Sequence, residues 1–291
     1  MITIEQLKQS SDLIKKIRPS YGPILDFYAR VFLAQEKCKQ DIRISPVVIE
    51  EDLLKIKQKN KLPLIDQSEF LIDLKASERL FDKICDLAYN FAPKLSSNAQ
   101  LLKNAGQTQS FDLKTLFSAI LNNQSSTLHD LAKRLNVPEQ ELVFFGYASI
   151  APSIRICSEQ LEAYLIDMPD LNKGYCPVCG NHPDMAFLDP EGKRHLKCCF
   201  CAHEWHVKRM GCVFCENNDK DSQHYFFSDE EKEYRVNLCD NCHNYIKLVD
   251  LRQIDRAFYP KLEQITTLHL DMKAREKGYT NAGSLANDVS L

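Results

Sequence analysis

From the first residue to about residue 168, apolar positions recur at intervals of three and four. Ile24, Leu25, Tyr28, Val31 and Phe32 fall on one side of a helix, as do Leu80, Ile84, Leu87, Ala88 and Phe91, the spacing that gives an amphipathic helix its buried face. Punctuation agrees with the period. Asp112 stands ahead of Leu113–Leu121 as an N-cap, and Pro138 enters the first turn of the next helix, where its missing N–H is not needed. Breakers fall between the runs at Arg18-Pro19, Ser45-Pro46, Leu62-Pro63 and Ala92-Pro93. Residues 1–168 are thus predicted to form an all-helical domain of six to eight helices. The polar stretch Ser96–Ser110 lacks a clear period and is expected as a surface loop.

Beyond residue 168 the runs shorten. Met185–Leu188, a turn at Pro190-Glu191-Gly192 and Arg194–Lys197 predict one hairpin; His224–Phe227, an acidic turn and Glu233–Leu238 predict a second. After Asp250, Leu251–Phe258 is expected to be helical and to end near Pro260. A further short helix is expected over Leu262–Lys277 with Gly278 as its stop, and Tyr279–Leu291 as a frayed end. The predicted class is α+β. Its parts are a helical bundle (1–168), two tandem ribbons (169–250, the first 174–203 and the second 210–247) and a C-terminal helical segment with tail (251–291).

Composition adds limits. Of the 291 residues 44% are hydrophobic and 26% charged, near the globular average, which argues against a disordered or fibrous chain. No run of 18 uncharged apolar residues occurs, so no membrane span is expected. The start Met1-Ile-Thr-Ile-Glu-Gln-Leu-Lys8 has neither a basic leader nor a cleavage site, and a cytoplasmic address is expected. A net charge of −3 gives no electrostatic reason for a polyanionic partner.

Cysteine breaks the average. Nine of the twelve cysteines lie between Cys176 and Cys242, with six of the eight histidines alongside. Four Cys-x-x-Cys pairs follow in order: Cys176/Cys179, Cys198/Cys201, Cys212/Cys215 and Cys239/Cys242. Two thiolates so spaced can share one tight turn whose N–H groups face the sulfurs, which is half of a tetrahedral site. Eight such cysteines imply two metal ions. The intervals within the first two and last two pairs, 18 and 23 residues, suit one hairpin each, and only ten residues separate Cys201 from Cys212. Sequential pairing is therefore favoured over an interleaved cross-brace. Disulfides would need an oxidising compartment, and a thioredoxin-like centre would need one exposed pair opening a helix. Four thiolates accept zinc or iron alike, so the metal stays open. Zinc would be structural; iron would permit one-electron chemistry. Pro177 and Gly180 in Cys176-Pro-Val-Cys-Gly180 suit the knuckle of rubredoxins and zinc ribbons.

The series Cys176-Pro-Val-Cys-Gly, Arg194-x-Leu196-x-Cys198-x-x-Cys201, His203-Glu204-Trp205, Arg209-x-x-Cys212-x-x-Cys215 and Arg235-x-x-x-Cys239-x-x-Cys242-x-x-Tyr245-Ile-Lys247-x-x-Asp250 resembles the formate dehydrogenase accessory protein family, FdhE. Leu62–Gln67, Leu74–Arg79 and the helix from Gln140 to Ala163 are similar to its N-terminal half, so the likeness covers most of residues 15 to 255. Cys199 and Glu216, where glycine is commoner after a knuckle, depart from the pattern. The resemblance implies a cytoplasmic, non-catalytic assembly factor that binds the catalytic subunit of a respiratory formate dehydrogenase and supports its maturation. It also implies rubredoxin-like sites associated with iron. Dimerisation with a second copy is left open.

The residues themselves are compatible with that. No phosphate-binding glycine loop, Gly-x-Ser-x-Gly elbow or His-Glu-x-x-His helix occurs, and a metal held by four cysteines has no vacancy for substrate. Trp205 is expected to pack between the ribbons or, with Arg209, to anchor a partner. Tyr245 and Lys247 are expected either to begin the C-terminal helix and cover the ribbon or to contact a partner. The histidines read as surface or supporting groups, with His203 or His243 as substitute ligands the alternative. Cys199 reads as a packed or a spare reactive thiol, and Cys38, Cys85 and Cys157 as core residues. Two other functions compete: a nucleic-acid-binding zinc ribbon and a rubredoxin-like electron carrier. Residues 171–250 hold ten basic and thirteen acidic side chains, which disfavours the first.

Overall fold

The computed structural model describes residues 3–108, 110–166 and 173–283. Thr3 opens helix α1 (Ile4–Ile17) through a capping box with Gln6. It is followed by α2 (Gly22–Cys38), α3 (Glu51–Asn60) and α4 (Leu74–Phe91), the last capped by the Asp73 carboxylate, which accepts from the Ala76 N–H. Then come α5 (Ser96–Gln107), α6 (Leu113–Leu121), α7 (Ser125–Leu135) and α8 (Glu139–Leu161). Asp112 caps α6 as predicted. Eight α-helices among the described residues up to 166 fall within the expected six to eight.

Helix α5 corrects the loop expected at Ser96–Ser110. Its polar sequence hides a narrow stripe, Leu95, Ala99 and Leu102, spaced four and three apart and fully buried, which packs along α4. Helix α8 runs through the middle of the bundle with proline inside it. Pro152 has no N–H for the Ala148 carbonyl one turn back; the buried Gln35 amide of α2 donates to that carbonyl instead, at 2.7 Å.

Six strands follow: β1 (Pro183–Leu188), β2 (Arg194–Cys198), β3 (Glu204–Val207), β4 (Gln223–Phe226), β5 (Tyr234–Cys239) and β6 (Asn244–Asp250). Each ribbon is an antiparallel three-strand meander. The two merge into one sheet of order β3-β2-β1-β6-β5-β4, because β1 and β6 pair in parallel from Met185 opposite Lys247 to Leu188 opposite Asp250. The sequence led to Tyr245 and Lys247 being placed at the start of a helix. They lie on β6 instead, whose residues are buried on both faces, so hydrophobicity there alternates between two cores and loses its period-2 signature.

Alternation assigns the faces. Ala186, Leu188, Leu196, Ile246 and Leu248 join the helical bundle in one continuous core. Met185, Phe187, Tyr245 and Val249 point the other way into a second core with Leu270 and Ala274. The second core is roofed by α10 (Leu268–Glu276), whereas the preceding α9 (Pro260–Thr266) packs Leu262 into the first core against α2. Here too the expectation changes. Leu251–Phe258 holds only a 3-10 turn, Leu251–Gln253, and Pro260 starts a helix where it was expected to end one. The single helix expected over Leu262–Lys277 breaks at Thr267, where the hydroxyls of Thr266 and Thr267 bond to the Leu262 and Glu263 carbonyls. Gly278 stops α10 with φ +86°. Tyr279–Gly283 is not frayed: Thr280 pairs beside β6 with Asn244. The rest of the tail expected to fray, 284–291, and the domain boundary expected at residue 168 lie outside the described residues. Among the described residues no helix is long and apolar enough to cross a membrane.

Two candidate metal centres

Each Cys-x-x-Cys pair sits on a tight turn that closes with a left-handed residue directly after its second cysteine: Gly180, Ala202, Glu216 and His243, with φ between +52° and +74°. Three of the turns are sealed by a hydrogen bond from that residue's N–H to the first cysteine's carbonyl, as from Gly180 to Cys176 at 2.8 Å. Only glycine takes this backbone without strain. Glu216, the departure noticed in the sequence, adopts it at φ +57° while its carboxylate pairs with Lys173 at 2.6 Å.

The turns bring the eight sulfurs together in sequential pairs. Cys176, Cys179, Cys198 and Cys201 form one cluster, and Cys212, Cys215, Cys239 and Cys242 the other, with the sulfurs of each within 4.8 Å of one another. The shortest sulfur–sulfur separations are 3.5–3.6 Å in the first and 3.7 Å in the second. A tetrahedral ion with bonds of about 2.3 Å to sulfur needs edges of about 3.8 Å, so the donor set fits a metal and is far too open for disulfides. Supporting donors face the sulfurs. The Phe200 and Cys201 N–H groups donate to Cys198, and the Asn181 and Asn241 amides to Cys179 and Cys215, each at 3.4 Å. Burial raises the Cys176 and Cys201 thiols. Cys198 is held well below the ordinary thiol value, against its own burial, by hydrogen bonds from its cysteine neighbours. In the second cluster burial raises Cys212 and Cys242. The Asn241 amide and the Asn217 N–H bring Cys215 down to about 7, again against burial. One thiolate in each cluster is thus favoured before the rest.

The clusters differ in setting. All four cysteines of the first are buried, whereas in the second only Cys239 is. The first is fastened to the helical domain: the Leu64 and Ile65 N–H groups donate to the Pro177 and Val178 carbonyls at 2.9 Å. The Tyr147 hydroxyl of α8 donates to Phe200 in the second knuckle. Between the clusters lies Arg194, almost fully buried, whose guanidinium donates to the Gly211 carbonyl at 3.0 Å beside Cys212. Burial lowers its pKa to about 10, and the Cys212 sulfur opposes the shift. Tyr147 and the two asparagines escaped the sequence reading, since isolated polar residues outside a cysteine pair carry no spacing signal; Arg194 was named there only as part of a hairpin strand and of the family motif.

Of the four residues considered as partner contacts, only Arg209 is exposed. Trp205 is buried in the core, its indole N–H donating to the Lys173 carbonyl at 2.9 Å and its ring parallel to His203. Tyr245 and Lys247 are buried too, and both bond to Asp271 of α10, at 2.9 and 2.6 Å. That internal pairing corrects their reading as partner contacts. His203 pairs with Glu162, and His243 closes the fourth knuckle, so neither is brought in as a ligand. Cys199 is half-buried beside Cys198, with Cys85 and Cys157 buried and Cys38 half-buried against the helical core.

Comparison with known proteins now bears on this arrangement. The FdhE central domain matches residues 175–209, the first ribbon. A protein FdhE homolog from Aquifex aeolicus is 26% identical, over 92% of this chain and 89% of the relative. The chain is thus similar to FdhE proteins along most of its length. A second FdhE homolog, from Proteus mirabilis, is 24% identical over 90% of this chain and 80% of its own length. The crystal structure of the FdhE protein from Pseudomonas aeruginosa matches with a TM-score of 0.66 at 19% identity, covering 97% of this chain and 95% of that one. It shares the α+β fold. The resemblance drawn from the knuckle motifs is thus extended over the helical half, where motifs are sparse.

Proposed function

We propose that this protein is a cytoplasmic, non-catalytic assembly factor that binds the catalytic subunit of a respiratory formate dehydrogenase and supports its maturation. In this reading Cys176, Cys179, Cys198 and Cys201 hold one metal ion, and Cys212, Cys215, Cys239 and Cys242 a second, iron or zinc in each. The observation that carries it is the closed donor set. Every position of each tetrahedron is filled by sulfur, so an ion there has no vacancy for substrate or activated water and acts on the shape and charge of the protein. The likeness to FdhE proteins suggests the client.

The test combines two measurements on full-length protein. Elemental analysis of material purified without chelator is expected to give about two metal equivalents per chain, one for each cluster. A purified formate dehydrogenase catalytic subunit is expected to be retained by the immobilised protein. Near-zero metal would remove the first half, and failure to retain the subunit the second. The electron-carrier alternative draws on the partly exposed second cluster and requires iron, which the same analysis decides. Nucleic acid is disfavoured by the acidic balance of the ribbons.

A further inference from the structure

Strand alternation leaves one part of the second ribbon uncovered. Arg235 and Asn237 on β5 lie opposite Leu248 and Ile246 on β6, and Tyr225 on β4 lies opposite Asn237, so these residues share one face. The helical core covers Ile246 and Leu248 and reaches no further. Tyr225 is 61% exposed and Phe227 51%. Their rings stack with centroids 6.2 Å apart, and the Arg235 guanidinium lies over Tyr225. β4 is also the last strand of the sheet, so its outer edge presents backbone donors and acceptors to a further strand. The charge around this overhang is one-sided. Between Glu216 and Asp240 there are eight acidic and three basic residues, an excess of five that exceeds the net −3 of the whole chain; Glu216, Glu231 and Glu233 pair with Lys173 and Arg18 from outside this segment, and Asp219, Asp221, Asp229 and Glu230 are exposed. The remainder of the protein is therefore net positive.

We propose that this overhang docks an extended segment of the client polypeptide that carries basic and apolar side chains. The segment adds to β4 as a seventh strand. Its apolar groups lie on Tyr225 and Phe227, and its Lys or Arg side chains reach Asp229, Glu230 and the neighbouring acids. Edge hydrogen bonds supply affinity whatever the sequence, and the charge selects which segment binds. The proposal rests on the assembly-factor reading and names the face through which it would act.

The test uses metal-loaded, full-length protein. Fluorescence anisotropy is measured with overlapping peptides tiling a formate dehydrogenase catalytic subunit, and retention of the intact subunit is measured in parallel. The peptides that bind are expected to be net basic. Their binding is expected to weaken with salt, and by about tenfold or more in Tyr225→Ser/Phe227→Ser and in Asp229→Lys/Glu230→Lys. These side chains are exposed, so an unchanged far-ultraviolet spectrum is expected in both variants. Selection of acidic peptides, binding indifferent to both variants, or a dimer of this chain that the aromatic variant abolishes would overturn the proposal. Equal retention of the intact subunit by wild type and variants defeats the overhang alone. No retention by wild type defeats the assembly reading beneath it.

Discussion

The hydroxyl of Tyr147, on the longest helix, donates to the carbonyl of Phe200, which lies between Cys198 and Cys201. The Phe200 ring packs against both Tyr147 and Phe70, so the first cysteine cluster is fastened to the bundle by a polar and an apolar contact at one residue. Tyr147→Phe keeps the ring and removes the donor, leaving buried carbonyl oxygen without its partner. We expect a loss of about 1–3 kcal/mol in urea unfolding of the metal-loaded protein, with metal content unchanged. An unaltered midpoint would show that the hydroxyl carries no part of the joint.

The unequal burial of the two clusters sets the order in which they give up metal. Cys176, Cys179, Cys198 and Cys201 are shielded on every side, whereas Cys212, Cys215 and Cys242 are partly open to solvent. A chelator must reach the ion to compete for it, and loss of a metal unfolds what the metal holds. With a zinc-loaded sample and excess chelator we expect two phases of release. The fast phase should vanish in Cys239→Ser and persist in Cys176→Ser. Because the first ribbon shares the core of the bundle, Cys176→Ser should also lower the thermal midpoint of the helical signal, while Cys239→Ser should leave it nearly in place. A single phase, or the reverse assignment, would refute the ranking.

What the sequence disclosed follows from which interactions are local. A cysteine knuckle is completed within five residues, so spacing alone located all four, and the short link from Cys201 to Cys212 favoured the observed pairing. Asp112 and Gly278 were legible for the same reason, since a cap acts on its own turn. β6 was not, because Tyr245 and Lys247 face one core while Ile246 and Leu248 face the other, and the partner strand β1 is some sixty residues away. α5 was hidden because three small or branched positions, Leu95, Ala99 and Leu102, suffice to bury it in a stretch otherwise polar. The parallel β1–β6 pairing that turns two ribbons into one sheet has no local signature at all.

The exchange between Gln35 and Pro152 can be measured as a coupling. Gln35 satisfies the Ala148 carbonyl only because Pro152 cannot. Gln35→Leu in the wild-type background should cost about 1–3 kcal/mol, the penalty of an orphaned buried acceptor. In a Pro152→Ala background the restored helical N–H can take that carbonyl, and the same substitution should cost clearly less. A double-mutant cycle from denaturant unfolding reads the difference directly. Equal costs in both backgrounds would mean that the amide stabilises something other than the helix break.

The same glutamine is held from its other end by Lys261, whose ammonium donates to the Gln35 Oε1 at 3.0 Å near the Phe32 ring. Burial, with the charges of Arg155 and Lys197 adding to it, brings this lysine down to about 7, while Glu36 and Asp184 oppose the shift. In the unfolded chain it titrates near its ordinary value of about 10.4. Between those limits the unfolded state binds more protons than the folded one, so this lysine makes stability rise with pH above about 7, and below that its penalty is complete and constant. Lys261→Met removes the charge and keeps most of the apolar stem. We expect the variant to exceed wild type in thermal midpoint most at or below about pH 7, and the gap to narrow toward about pH 9. The metal sites are the same in both proteins and cancel in the comparison. Parallel profiles would show that Lys261 stays charged in the folded protein, with its neighbours arranged to accept it.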